Sequence, residues 1–189
     1  GVLNTIPRVQ KDDKEILMLL GERESREKGF TFLIEKYQQR LYWHIRRLIL
    51  DHDDTDDVLQ ETFIKAWRGI QGFRSDSKLF TWLYRIATNE ALTFIKRSRR
   101  KGHVSLEEGG AELARQVDTS PLLSGDEISL KLQKAVLKLP DKQRLVFNLK
   151  YFEEMKYQEM SEVLDTSVGA LKASYHLAIK KIEKELLPD

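Results

Sequence analysis

Apolar residues recur along this chain at intervals of three and four, the signature of one-faced helices. Ile16, Leu17, Leu19 and Leu20 form a short stripe that predicts a helix over about residues 12–27. Phe30, Phe32, Leu33, Tyr37, Leu41, Ile45, Leu48 and Ile49 then mark a longer amphipathic helix ending before Asp51. A further helix is expected to begin near Asp54 or Thr55, both good N-caps, with acids in its first turn suiting the positive end of the helix dipole. Its expected core stripe is Leu59, Phe63, Ala66, Trp67 and Ile70. Gly69 and Gly72 loosen the chain, so residues 71–78 read as a loop. The next helix spans about residues 79–96, with Trp82, Leu83, Ile86, Ala87, Ala91 and Phe94 apolar at helical spacing.

From Ser98 the character changes. Gly102, Gly109, Gly110, Pro121 and Gly125 interrupt any period, and the segment is acidic and free of aromatics. It reads as a flexible, solvated linker, extendable to roughly several tens of ångströms. Helical patterning resumes with Leu130, Leu132, Ala135, Val136 and Leu139, stopped by Pro140. Asp141 is placed to cap a helix carrying Leu145, Val146, Leu149 and Tyr151 or Phe152. A short helix over about residues 156–164 and a longer one over 168–187 follow, the last ended by Pro188. No strand pattern and no repeat occurs. The expectation is an all-α protein of two small helical domains, residues 12–100 and 128–189, joined by a flexible acidic linker over residues 101–127.

Composition narrows the field. Four prolines and ten glycines in 189 residues are few, which favours long helices over turn-rich β architecture. The chain has no cysteine, which excludes disulfides, thiolate metal sites and Cys nucleophiles and is compatible with a reducing compartment. No run of about 18 apolar residues exists, so no membrane insertion is expected. Residues 1–10 lack the basic-then-apolar order of a signal peptide, and the protein reads as cytoplasmic.

A formal net charge of +2 says little, but the charges are segregated. Asp51, Asp53, Asp54, Asp56, Asp57 and Glu61 are uninterrupted by a base, whereas Lys96, Arg97, Arg99, Arg100 and Lys101 are uninterrupted by an acid. The acids admit a divalent-metal reading, but no His or Glu ligand set accompanies them, and no cofactor is implied.

Residues 157–164 form a short helix with Met160, Val163 and Leu164 inward. After the three residues 165–167, Val168, Leu171, Tyr175 and Ile179 face inward on a second helix. That is helix-turn-helix spacing, in which the second helix enters the major groove. Ser167, Gly169, Ala170, Lys172, Ala173, Ser174, His176 and Lys180 would then face outward, with Lys181 beside them. A plain helical hairpin with a solvated basic face is the competing reading. Here the chain also resembles a known family. The strings KLPDKQR (138–144), YQEMSEVL (157–164) and SVGALK (167–172) look like sigma-factor region 4, whose helix-turn-helix recognises the −35 promoter element. Many relatives have Gly where this chain has Asp165, and Asp tolerates the left-handed conformation such a turn needs. Ser174 and Leu177 stand where the family often has Arg, so base-specific contacts do not carry over.

The N-terminal part resembles the same family independently. DDVLQETFIKAW (56–67) is similar to region 2.2, which implies docking on the largest polymerase subunit through Asp57, Gln60 and Glu61. FRSDSKLFTWLYRIATNEAL (73–92) resembles regions 2.3 and 2.4, implying capture of an unstacked base of the −10 element. Phe73, Arg74, Ser75, Asp76, Ser77 and Lys78 would line that capture loop, and Arg85, Asn89, Lys96 and Arg97 would hold the separated strand. Trp82, Ile86 and Phe94 are assigned to the core, and residues 98–101 would touch backbone phosphate.

The two resemblances, in order and without a third domain between them, point to the extracytoplasmic-function (ECF) sigma-70 group. They imply an alternative sigma factor that binds core RNA polymerase, recognises −10 and −35 elements and promotes DNA melting. An anti-sigma factor is implied as a further partner. A one-component helix-turn-helix regulator is the alternative, but it leaves the region 2.2-like string without a role. His44, His52, His103 and His176 are scattered and no Gly-rich phosphate loop occurs, so an enzyme is not expected.

Overall fold

The computed structural model describes residues 10–73, 77–102 and 127–187. Among the described residues there are eight α-helices and no strand: α1 (Asp13–Leu20), α2 (Arg26–Ile49), α3 (His52–Gly69), α4 (Leu79–Arg100), α5 (Glu127–Leu137), α6 (Asp141–Phe147), α7 (Tyr157–Leu164) and α8 (Val168–Leu186). Of the expected linker, residues 101–127, the stretch 103–126 lies outside the described residues, Lys101 and Gly102 form a turn, and Glu127 already belongs to α5.

The first expected helix is divided. Asp12 caps α1 by accepting from Glu15 N–H at 2.8 Å, but the helix ends at Leu20 and the chain turns back before α2. The turn holds because Ser25 Oγ donates to the Leu19 carbonyl (2.7 Å) and Arg26 Nε to that of Leu20 (3.4 Å), satisfying groups the helix end leaves free. At the other end of α1, the Asp13 carboxylate accepts from Lys36 Nζ and from the Tyr37 hydroxyl, both at 2.7 Å. Burial, then that carboxylate, raises the Tyr37 pKa. Gly29 lets α1 and α2 approach: a Cβ there would lie 2.8 Å from Leu19 Cβ and 3.0 Å from Leu20 N.

Helix α2 buries Leu33, Tyr37, Leu41, Ile45 and Leu48 along one stripe, and α1, α3 and α4 all pack against it. Helix α3 starts at His52, earlier than expected, because Asp51 caps it by accepting from Asp54 N–H at 2.9 Å. Its buried face is Thr55, Val58, Thr62 and Ala66. Leu59 and Phe63 are half-buried, and Trp67, expected inside, is 40% exposed. The buried stripe is rotated because two threonines line it. Thr55 Oγ1 donates to the Asp51 carbonyl (2.7 Å) and Thr62 Oγ1 to that of Val58 (2.8 Å), so neither hydroxyl is left unsatisfied. Helix α4 runs to Arg100, one turn past the expected end, with Arg97, Arg99 and Arg100 in its last turn suiting the carbonyl end of the dipole.

In the C-terminal part Pro140, rather than Asp141, occupies the N-cap position of α6. The helix then widens into a π-helical turn over Asn148–Phe152, and of the two expected aromatics Phe152 packs on the core while Tyr151 is half exposed. Glu154 turns the chain at φ 53° and Met155 is buried behind it. Met160, Val163 and Leu171 form the buried seam between α7 and α8. The two parts are in contact: one hydrophobic cluster runs from Leu33, Leu83 and Tyr84 through Leu149, Met155, Met160 and Val163.

His44 lies fully buried between α2 and α4, its Nε2 sharing a 2.8 Å hydrogen bond with Thr88 Oγ1. Burial, reinforced by the nearby Arg47 charge, lowers its pKa to about 3. The folded state therefore keeps His44 neutral while the unfolded chain takes up a proton below about pH 6.5. Stability is lost as pH falls from there toward 3, by about 2 kcal/mol at pH 5 at roughly 1.4 kcal/mol per pH unit. Urea denaturation at pH 7 and pH 5 is expected to show that loss in the parent chain and not in His44→Gln. Gly29→Ala is expected to cost about 1–2 kcal/mol in the same assay at pH 7, since the overlap with the Leu20 backbone outweighs the gain in helix propensity.

Candidate functional site

Three exposed surfaces carry the candidate residues. The first is the outer face of α3. Asp57 and Gln60 are exposed there and Glu61 is half-buried. Ile64 (37% exposed) and Trp67 (40%) continue the same helical face, a feature the apolar pattern had assigned partly to the core. Trp67 keeps its orientation through an edge contact with Phe30, ring centroids 5.1 Å apart. The spacing 57, 60, 64, 67 was readable as one face, but large apolar residues at helical spacing are ordinarily buried. At the N-terminus of α3, partial burial and then the Asp51 and Asp57 charges raise the Asp54 carboxyl above the usual range. Among the described residues, no three His, Asp or Glu side chains are placed to hold a metal ion.

The second surface is α4 with the loop before it. Arg74, Ser75 and Asp76 lie outside the described residues. Phe73 is half-buried against Trp82, centroids 5.2 Å apart, which anchors the loop to α4. Ser77 is half-buried and Lys78 exposed. Lys78, Arg85, Asn89 and Lys96 share one solvent-facing stripe, with Arg97 beside it. Trp82 lies on the same stripe and is only partly buried, while Ile86 and Phe94 pack against the core as expected.

The third surface is α8. Asp165 adopts the left-handed conformation (φ 51°, ψ 49°), so the turn forms without glycine. Glu159 accepts from Lys156 N–H at 3.0 Å and closes the start of α7. The Ser167 hydroxyl accepts from Ala170 N–H at 3.2 Å, so this residue caps α8 from an exposed position. Gly169, Ala170, Lys172, Ala173, His176 and Lys180 are exposed and Ser174 is half-buried. Lys172 lies 5.7 Å from the Tyr157 ring centroid, which holds its ammonium near the helix-turn-helix seam. Leu177 is 49% exposed between these polar residues.

A fourth constellation was not visible in the sequence. Glu153, in the C-terminal part, accepts from Arg47 Nη1 on α2 at 2.9 Å and from the Tyr84 hydroxyl on α4 at 2.5 Å. Burial, then the Glu153 charge, raises the Tyr84 pKa. Arg99 donates to both oxygens of Asp141, at 2.5 and 2.9 Å, and this bonding holds the Asp141 carboxyl below the usual range.

Comparison with known proteins supplies the context for these surfaces. Residues 33–101 match sigma-70 region 2 and residues 129–182 match sigma-70 region 4. The ECF RNA polymerase sigma factor SigW of Bacillus subtilis is 32% identical over 84% of this chain and 89% of its own. The RNA polymerase sigma-H factor of Pseudomonas aeruginosa is 32% identical over 95% of this chain and 96% of its own. Among solved structures, CnrH in complex with the cytosolic domain of CnrY matches with a TM-score of 0.66 at 24% identity, over 90% of this chain and 94% of that one. The sigma factor RpoE of Bartonella quintana, in complex with the anti-sigma factor NepR, matches with a TM-score of 0.64 at 22% identity, over 84% of this chain and 97% of that one. Two family matches in order, and relatives of this similarity over nearly full length, place the chain in the extracytoplasmic-function group of the sigma-70 family: it is an alternative sigma factor for transcription initiation.

Proposed function

We propose that the three exposed surfaces divide the work of a sigma factor among them, without catalysis by the chain itself. The domain plan is the one read from the sequence, residues 12–100 and 128–189 with the linker 101–127 between them. The outer face of α3 docks on core RNA polymerase through Asp57, Gln60 and Glu61, joined by Ile64 and Trp67. An exposed apolar centre with a polar, acidic rim is the composition a protein partner's hot spot takes. The stripe Lys78, Arg85, Asn89 and Lys96, with Arg97, follows the separated strand of the −10 element, and the loop 73–78 receives an unstacked base. Cations flanking a partly exposed indole suit single-stranded nucleic acid, where stacking and phosphate contacts act together. The exposed N-terminal half of α8 enters the major groove at the −35 element. Its residues Ser167, Gly169, Ala170, Lys172, Ala173, Ser174 and His176 face the bases and Lys180 the phosphates.

The observation that carries this reading is the exposure of Ile64 and Trp67 beside Gln60. A helix that needed only to fold would bury those two side chains. An anti-sigma factor is a further partner in this reading, supported by the fold relative solved with the anti-sigma factor NepR. The site of action is the cytoplasm, where polymerase and promoter are. Among the described residues no helix is long and apolar enough to cross a membrane.

Run-off transcription with purified chain, bacterial core polymerase and fragmented genomic DNA is expected to give discrete transcripts absent with core alone. No new transcripts, together with no co-elution with core, would show the docking assignment to be wrong. Ile64→Glu, at a half-exposed position, is expected to leave the fold intact and weaken binding to core at least tenfold, about 1.4 kcal/mol. Arg85→Ala with Asn89→Ala is expected to leave core binding unchanged and to abolish the transcripts. Fluorescence anisotropy with labelled core separates the two.

A further inference from the structure

Helix α8 carries two kinds of apolar residue. Leu171, Tyr175, Ile179, Ile182 and Leu186 join hydrophobic clusters on the inner side of the helix. Leu177 joins none of them and is 49% exposed. A single exposed leucine on a protein surface is ordinary. This one differs in its surroundings. It stands on the face assigned to the bases, one turn from both Ser174 and Lys181 and two turns beyond Ala170 on the same side. Over residues 168–182 the helix has no acid. Lys172, His176 and Lys180, each four positions from the next, form an exposed row on the other side. The outer face of α8 is thus divided. One edge carries charge and donors, whereas the other, with Ala170, Ala173 and Leu177, offers carbon only.

The residues before Leu177 on this face are small, and the fold does not require them to be. A Cβ added at Gly169 would meet nothing within 4 Å, and Ala170 and Ala173 are exposed. Packing leaves these positions free to carry longer side chains. What short ones permit is a close approach of the helix to another surface, as glycine does where backbone meets a ligand. With the first turns of α8 drawn close, the branched side chain of Leu177 reaches beyond its neighbours toward whatever the helix lies against.

In the major groove each base shows a different edge: G offers acceptors, C a donor, A one of each, and T an acceptor with a methyl group. Leucine has no group to answer the polar edges, and covering one with carbon strands a polar atom without a partner. Against thymine it removes two apolar surfaces from water at once. Discrimination then has two sources, attraction to one base and an unmet hydrogen bond at the others. We propose that Leu177 reads the C5 methyl of a thymine in the −35 element, so that this base pair is chosen by apolar contact and not by hydrogen bonding. The proposal rests on the assignment of α8 to the major groove of that element. A protein is the competing occupant, and the acid-free charge of residues 168–182 favours the polyanion over it.

Start sites mapped by run-off transcription locate the −35 element. Each thymine within it, on either strand, is then replaced in turn by deoxyuridine, which lacks only the methyl. Holoenzyme made from the full chain and core polymerase is titrated against each labelled fragment by fluorescence anisotropy. At one position the replacement is expected to weaken binding about fourfold, the loss of one buried methyl at about 0.8 kcal/mol. Changing the same pair to C·G is expected to cost at least about tenfold. Leu177→Ala, at a position outside the hydrophobic clusters, is expected to keep the fold and to bind the unmodified fragment at least about fourfold more weakly. In that variant deoxyuridine at the sensitive position is expected to change nothing further, whereas an effect of the methyl on DNA shape would persist. An element without a sensitive thymine, or a methyl effect that persists in Leu177→Ala, would overturn the contact. So would a Leu177→Ala variant that loses affinity for core and not for DNA, in that case in favour of a protein partner. Binding indifferent to every base-pair change across the element would instead sink the assignment of α8 itself, on which the contact depends.

Discussion

Helix α2 is the post on which the N-terminal part is built, and its 24 residues set where every neighbouring surface points. Leu33, Leu41 and Ile45 are fully buried along it, each contributing about 1.5–3 kcal/mol relative to exposure. Because α1, α3 and α4 all pack on this one stripe, the face each presents to solvent is the face α2 does not use. That constraint, with the packing of α3 on α4, turns Gln60 and Ile64 outward on α3 and Arg85 and Asn89 outward on α4, while Trp67 stays partly exposed against Phe30 of α2. The close approach at Gly29 and the Asp13 contacts with Lys36 and Tyr37 fix α1 on the same post.

Buried polar groups in this molecule mark where helices from different parts of the chain meet. Thr55 and Thr62 bond carbonyls of their own helix and are structurally neutral passengers in a core. His44 and Thr88 join α2 to α4 and make the N-terminal part sensitive to acid. Glu153 and Asp141 instead join the two parts, bonding Arg47 and Tyr84 and Arg99 respectively beside an apolar cluster that runs across the same boundary.

Much of the architecture was legible in the amino-acid sequence. The four C-terminal helices, the helix-turn-helix and the left-handed turn at Asp165 follow from local spacing and from the tolerance of Asp for that conformation. So does the segregation of charge that leaves Lys96, Arg97 and Arg100 exposed at the end of α4. Errors clustered where a local signal had to compete with a distant one. The first helix broke at Gly21 because Ser25 and Arg26 could satisfy its terminal carbonyls, a bond visible only once the chain has turned back. The buried stripe of α3 runs through two threonines that an apolar count passes over, and Trp67 moved outward as a result. The π-helical turn at 148–152 precedes Glu153 and Met155, which meet the N-terminal part, a placement no local pattern signals.

Sequence alone determined the helical class, the two-part plan, the helix-turn-helix and the residue chemistry of each surface, since these depend on neighbours three or four positions away. Only the tertiary structure decided which side chains of α3 are free for a partner and how the two parts meet. Arg47 and Glu153 stand 106 positions apart, and Tyr84 and Glu153 stand 69 apart. No periodic pattern links residues at such separations. Their pairing is set by the shapes of two surfaces that exist only after each unit has folded.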